Sequence, residues 1–455
     1  MSLKKTLEEY SKSNMYPFHM PGHKRGFDGI YKIDMTEVEG VDDLHDASGV
    51  IAEEQKRLAR LFGAEDSHIL VGGSTVGNLA SIYACCNEGD SVIIQRNSHK
   101  SVYNAVMLRH LKTDYIEPEL FENGIFKAVT LENVKEAVEK CVKNPKAIVI
   151  TSPTYEGFHA PIKEISKYCY DKGIILIVDQ AHGAHLGFHP AFTNIAVGYA
   201  DITIQSLHKT LPSLTQTAAM HISGDRVNRE RVSEALDIFE TSSPSYVLMN
   251  SISQCLDILE DSGKLFVDYV DKLRDFYKIS GELKNLNLSQ DKEEIKDPGK
   301  IVISTENTNI TGVELAKILR EKYQLETELS SFAYVLAMTS IMDTKEGFDR
   351  LKFALKEIDK TLSEGHIKVP NLSVNYKKKL EIFEAKAGDE LKMSLEQAIG
   401  KTSAAMVCLY PPGAPIIVTG EEITEESIAI IKEAKEKMLH VTGMDVERET
   451  ISVVN

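Results

Sequence analysis

The chain has 455 residues, 42% hydrophobic and 26% charged, enough for two domains with separate cores and not the composition of a disordered protein. A formal net charge of -16 argues against nucleic acid as a partner, because its phosphates would repel such a surface. The opening Met1–Ser13 lacks the apolar core of a signal peptide, no run approaches the roughly 18 apolar residues of a membrane span, and the six cysteines form no Cys-x-x-Cys pair, so the expectation is a cytoplasmic protein with reduced thiols.

Residues 2–44 read as a short helix followed by the loop Pro17-Phe-His-Met-Pro-Gly-His-Lys-Arg-Gly26. From about Glu53 to Ser223 helical and strand patterns alternate, with strands expected at His68–Val71, Ser91–Gln95, Ala147–Thr151, Ile174–Asp179, Asp201–Gln205 and Ala218–Ile222. Several are unbroken aliphatic runs, which suits strands buried on both faces of a mainly parallel sheet. Ligands of such sheets sit beyond the carboxyl ends of the strands, where Gly72–Thr75, Ser152–Thr154, Asp179–His182 and Ser206–Lys209 all fall. After Arg226 the pattern is helical to about Leu286, and the charged stretch Gln290–Lys300, with its Pro-Gly break, is the candidate boundary. Beyond it, strands at Lys300–Ser304 and Tyr334–Met338 and helices at Thr311–Tyr323, Lys345–Glu364 and Glu425–Lys437 indicate a smaller α+β domain. The expected organisation is an N-terminal helix and loop segment over 1–50, a large cofactor-binding domain over 51–289 and a small C-terminal domain over 290–455.

His-Lys occurs at His23-Lys24, His99-Lys100 and His208-Lys209, so the dipeptide alone carries no information. Only Lys209 directly follows a buried-strand pattern that itself comes after a strand ending in an acid, Asp179. A carboxylate there is costly unless paired, and a protonated pyridine nitrogen is a suitable partner; a lysine at the next strand end can hold an aldehyde as an imine. That combination is what pyridoxal phosphate requires. A helix cap or a solvated loop acid remains the plainer reading of Asp179, and His182, His185 and His189 with Asp179 leave a metal site as an alternative, although no His-Glu-x-x-His accompanies them. Gly72-Gly-Ser-Thr-Val-Gly-Asn78 follows a strand and opens a helix, so Ser74 and Thr75 can receive a phosphate, with Ser206 and His208 as further donors, or the turn is a plain helix cap. His99 is placed to lie against an aromatic ring or to be an exposed loop residue, and Thr154 to hydrogen-bond a cofactor or to close a proline turn.

Taken together, Met20-Pro-Gly-His-Lys-Arg-Gly26, Gly40-Val-Asp-Asp-Leu-His-Asp-Ala-Ser-Gly49, Gly73-Ser-Thr-Val-Gly-Asn78, Asp179-Gln-Ala-His-Gly-Ala-His185, Ser206-Leu-His-Lys209, Thr241-Ser-Ser-Pro-Ser-Tyr246 and Tyr410-Pro-Pro-Gly-Ala-Pro415 closely resemble the Orn/Lys/Arg decarboxylase family in its shorter bacterial form. The resemblance implies a fold-type I pyridoxal-phosphate enzyme: an α/β fold with a mainly parallel seven-stranded sheet flanked by helices and a smaller C-terminal α+β domain. It also implies that Lys209 holds the aldehyde, Asp179 pairs with the ring nitrogen, His99 stacks on the ring, His182 lies beside it, and Ser74, Thr75, Ser206 and His208 bind the phosphate. In this family the site lies at a dimer interface, so Ser243 would reach the neighbouring chain's phosphate; a homodimer or dimer-based oligomer is the implied assembly. The chain is too short for the extra N-terminal wing domain of the family's larger members.

The expected reaction is α-decarboxylation of arginine, lysine or ornithine to the amine and carbon dioxide, with no metal. The substrate's distal cation needs an acid, for which Asp43, Asp46 and Glu421 are candidates. Aminotransfer or aldol cleavage uses the same fold and lysine, and a cofactor-binding regulator without turnover is the alternative from another class.

Overall fold

The computed structural model describes residues 2–289, 295–369, 375–410, 413–437 and 439–455. Residues 290–294 of the expected boundary stretch, and Pro411 and Pro412 of the Tyr410–Pro415 motif, lie outside the described residues. Seven strands form the principal sheet: β1 (Asp66–Leu70), β2 (Ser91–Gln95), β3 (Lys112–Ile116), β4 (Ala147–Thr151), β5 (Ile175–Asp179), β6 (Ile202–Ser206) and β7 (Ala218–Ile222). Their order is β1-β7-β6-β5-β4-β2-β3. The pairs β4/β5, β5/β6 and β2/β3 are parallel, and β7 runs against both its neighbours. This is the mainly parallel sheet expected from the unbroken aliphatic runs.

The chain divides into two compact units, each discontinuous in sequence. The first comprises residues 1–87, 146–152 and 161–268 and holds β1, β4, β5, β6 and β7. Every residue of β5, β6 and β7 is buried, which is why Ile-Leu-Ile-Val can run without a polar break. The helix Gly73–Cys85 lies close to β6 because Gly77 has no side chain: a Cβ there would sit 2.6 Å from Ile204 Cγ2. Among the described residues of this unit, helices at Arg229–Phe239, Tyr246–Glu260 and Gly263–Tyr277 account for the helical stretch expected after Arg226, the last running past the unit's end at Asp268.

The second unit comprises residues 88–145, 153–160 and 269–455. It holds β2 and β3 and an antiparallel sheet in the order Leu329–Ser330, Tyr334–Met338, Lys300–Ser304, Asn287–Leu288, with helices Gly312–Tyr323 and Lys345–Asp359. The latter helix stops five residues short of the expected Glu364, at a Lys360 cap followed by a turn in which Thr361 N–H donates to the Ile358 carbonyl. Farther on, Glu390–Ser394 pairs with Thr450–Val454, and Val407–Tyr410 lies between Ala414–Ile417 and His440–Thr442. A core that includes Phe332, Leu395, Val407, Ile417, Ile431 and Val453 closes this region. Five of the six cysteines are buried. Among the described residues no helix is long and apolar enough to cross a membrane.

Candidate active site

In the first unit the ends of β1, β5 and β6 carry most of the residues singled out from sequence. Beyond β1 the chain turns through Gly72, the N-cap of the helix Gly73–Cys85, and Gly73, whose φ of +75° is left-handed backbone that favours glycine. A Cβ on Gly72 would meet Val76 Cγ2 at 2.4 Å and Glu240 Oε1 at 2.8 Å, so this turn closes only without side chains. It presents the first-turn N–H groups of a 13-residue helix, the standard receptor for a phosphate. Ser74 Oγ lies 2.7 Å from Ser206 Oγ at the end of β6, so two of the expected phosphate ligands meet; Thr75 is exposed on the same turn.

Asp179 ends β5 and is buried. Its Oδ2 accepts from Asn78 Nδ2 at 2.8 Å and its Oδ1 from the Ala181 N–H at 3.1 Å. The carboxylate is thus aligned by two donors, as a buried acid must be. Asn78 was not among the sequence candidates; the available signal was a single amide side chain inside a buried, otherwise apolar or small-residue helix face, where it needs a partner. Lys209 follows β6 on the short helix Leu207–Thr210, and its Nζ lies 3.1 Å from His182 Nε2. An ammonium has only donors, so His182 Nε2 is the acceptor of this contact. His208 donates Nδ1–H to the Thr217 carbonyl at 2.8 Å; burial first, and Lys209 after it, hold its pKa below the usual imidazole value against the pull of that bond. Ser243 is exposed, as is Asp46, whereas Asp43 is half-buried and accepts the His45 N–H at 2.9 Å.

His185 sits edge-on to Phe192 at 4.8 Å, and His189 accepts the Ala191 N–H at 3.1 Å through Nδ1. Among the described residues no group of three or more His, Cys, Asp and Glu side chains is arranged to hold a metal ion.

In the second unit His99 is exposed at the N-cap of Lys100–Leu108, its Nδ1 accepting from Ser101, with Oγ at 2.8 Å. Two sequence candidates are engaged elsewhere. Thr154 is buried and its hydroxyl accepts the Phe158 N–H at 3.1 Å, closing its own turn; the neighbouring Glu156 binds Tyr334 Oη at 2.7 Å. Glu421 is buried in a two-pronged ion pair with Arg96, one prong Nη2 to Oε2 at 2.8 Å and the other Nη1 to Oε1, while Oε2 also accepts the Val418 N–H at 2.8 Å. Arg96 in turn lies over the Tyr376 ring at 4.4 Å. Arg96 is shared with a second acid, its Nε lying 3.5 Å from Glu117 Oε1, so the Glu421 expected from sequence sits in a buried cluster of one guanidinium and two carboxylates.

The family model described as Orn/Lys/Arg decarboxylase, major domain, matches residues 2–288, and the one described as the C-terminal domain of the same family matches residues 365–448. A Bacillus subtilis protein named as uncharacterised, YaaO, is 34% identical over 97% of this chain and 95% of its own length. An arginine decarboxylase of Halalkalibacterium halodurans is 31% identical over 95% of this chain and 93% of its own. The crystal structure of the Francisella novicida lysine decarboxylase superposes with a TM-score of 0.87 at 22% identity, covering 100% of this chain and 81% of that one.

Proposed function

Because the chain belongs to the Orn/Lys/Arg decarboxylase family, it is a pyridoxal-phosphate-dependent carboxy-lyase for a basic amino acid, and we propose that Lys209 is the residue that holds the cofactor's aldehyde. The observation that carries this assignment is the adjacent placement of Asp179 and Lys209 at the ends of the parallel neighbours β5 and β6, each already held by a polar partner. The cradle of Gly72 and Gly73, with Ser74 and Ser206 side by side, suits a phosphate monoester.

When bound, pyridoxal phosphate supplies the sink for the electron pair left as carbon dioxide departs. Asp179, its oxygens fixed by Asn78 and Ala181, keeps a ring nitrogen protonated. His182 holds or returns a proton at Lys209 Nζ. Ser74, Thr75, Ser206 and His208 bind the phosphate. His99 covers a ring face, and Ser243 serves the phosphate of a second subunit; both roles rest on the family resemblance. Asp43, Asp46 and Glu421 are the candidate acids for the distal cation, Glu421 being also paired with Arg96, and Thr154, whose hydroxyl closes the Phe158 turn, is the candidate cofactor contact at the end of β4.

Arginine is the proposed substrate, since relatives at 31% and 30% identity over nearly the full chain are named arginine decarboxylases. The proposed assembly is a homodimer in the cytoplasm, with the domain limits 1–50, 51–289 and 290–455 expected from sequence. Exposed apolar side chains crowd the segment from Met15 to Tyr31, including Tyr16, Phe18, Met20, Phe27 and Ile30, which suits burial against a second copy. The test is incubation with L-arginine, L-lysine or L-ornithine and identification of the product amine. Agmatine formed fastest, with carbon dioxide and no keto-acid acceptor, is the expected result; cadaverine or putrescine would overturn the substrate. Lys209→Ala should remove the absorbance band of the lysine-bound cofactor and lower kcat by at least about 1000-fold.

A further inference from the structure

His45 lies in the Gly40–Gly49 motif, outside the set of residues given a role above. Its Nδ1 is 2.9 Å from Asp237 Oδ1, and its Nε2 is 2.8 Å from the Thr241 carbonyl oxygen. A carboxylate oxygen and a backbone carbonyl oxygen can only accept, so both ring nitrogens must carry hydrogen for both bonds to exist. The ring in this arrangement is an imidazolium. Burial opposes the charge, but the Thr241 carbonyl and the Asp237 carboxylate outweigh it and hold the imidazole above its ordinary pKa. The titratable groups that face it are acids: Asp237 from the last turn of Arg229–Phe239, Asp43 from its own loop, Glu240 just past that helix, and Glu37 upstream.

The loop that carries His45 is itself firmly anchored. Asp42 accepts N–H groups from Ser48, Gly49 and Ile51 at 3.1, 2.9 and 2.8 Å, capping the helix Val50–Phe62. Tyr246 Oη donates to the Asp42 carbonyl at 2.5 Å. The segment Thr241–Tyr246 is therefore tied to one loop at both ends, by His45 at Thr241 and by Asp42 at Tyr246. Ser243 lies between the ties. The residue before the segment, Glu240, is buried and accepts the Val71 N–H at 3.3 Å, directly before the Gly72 turn.

We propose that protonated His45 is a positioning residue that fixes the Thr241–Ser245 segment beside the phosphate turn, and that loss of its proton frees this segment and weakens retention of pyridoxal phosphate. The second half rests on the reading of the Gly72 turn and Ser243 as phosphate-binding elements. A neutral ring keeps one N–H, so either Asp237 or Thr241 loses its donor. Since folding raises the pKa, the stabilisation is complete below the unfolded value of about 6.5 and is lost as pH rises through the folded value.

Hydrogen–deuterium exchange of the full-length protein from pH 6 to 9.5, with and without pyridoxal phosphate and corrected for the intrinsic rate, reads the clamp directly. Peptides over residues 241–246 should exchange several-fold faster at the alkaline end, because a neutral ring can serve only one of its two acceptors. His45→Gln should remove the step, and Asp237→Asn should move its midpoint to lower pH. The dissociation constant of pyridoxal phosphate should rise across the same pH interval in the wild type and not in His45→Gln. A flat wild-type exchange profile, or an unchanged step in His45→Gln, overturns the clamp. An exchange step with unaltered cofactor affinity overturns only its link to cofactor retention, and failure of the wild type to bind pyridoxal phosphate at any pH overturns the cofactor roles assigned above while leaving the exchange result standing.

Discussion

A buried asparagine in an apolar helix must satisfy its amide, and Asn78 donates its Nδ2–H to Asp179. Asn78→Ala leaves that carboxylate with one donor fewer, at an expected cost of about 1–3 kcal/mol in urea-induced unfolding and a lower kcat at unchanged substrate KM. Asn78→Asp, which sets a second acid against the first, should be worse on both measures. The placement of Asp179 and Lys209 at the ends of neighbouring strands was legible in the sequence, because Asp179 ends an unbroken aliphatic run and Lys209 follows a buried-strand pattern. Asn78 was not, because its partner depends on how closely its helix approaches the sheet. The ion pair of Glu421 was not legible for a related reason: its partner Arg96 lies 325 residues away along the chain, beyond the reach of any local pattern.

At the level of elements, the close approach of helix Gly73–Cys85 to β6 depends on Gly77. Gly77→Ala puts a Cβ 2.6 Å from Ile204 Cγ2 and 3.1 Å from Leu70 Cδ1, so the helix must shift. The expected result is about 1–3 kcal/mol of lost stability in thermal or denaturant melts, together with weaker binding of pyridoxal phosphate. On the other side of β6, His221 in β7 ties the sheet together, donating Nε2–H to Gln205 Oε1 at 3.2 Å and accepting from Ser67 Oγ at 2.8 Å. Burial, with a smaller push from His68, lowers its pKa to about 3. Its folded value is depressed, so below an unfolded pKa of about 6.5 the unfolded chain takes up a proton that the folded one refuses. Stability should then fall by roughly 1.4 kcal/mol per pH unit between pH 6.5 and 3 from this group, and urea midpoints at pH 7 and 5 should converge in His221→Gln. Strands with continuous aliphatic runs were readable to within two residues at each end. The edge strand β3 was not named, since Lys-Thr-Asp-Tyr-Ile offers only a weak alternation and borders the sheet on one side.

For the molecule as a whole, the segment from Met15 to Tyr31 is the feature least compatible with a free monomer, with Phe18 91% exposed. Sedimentation analysis should show a dimer, and Phe18→Asp should shift it toward monomer with a matching loss of decarboxylation, because the site is shared between subunits in the proposed assembly. Phe18 belongs to the loop whose sequence breaks from the alternating helix and strand patterns of residues 53–223, yet sequence alone could not say that its apolar side chains stay uncovered.

One helix carries both the glycine turn proposed to receive a phosphate and, one turn later, the amide that aligns Asp179. Four residues separate Ser74 from Asn78, a rise of about 6 Å. That single rigid segment acts as a ruler, setting the spacing between the two polar ends of the proposed cofactor pocket independently of the loops around it. Inserting or deleting one residue between Thr75 and Asn78 would rotate the amide by about 100° off Asp179 and uncouple the two ends at once.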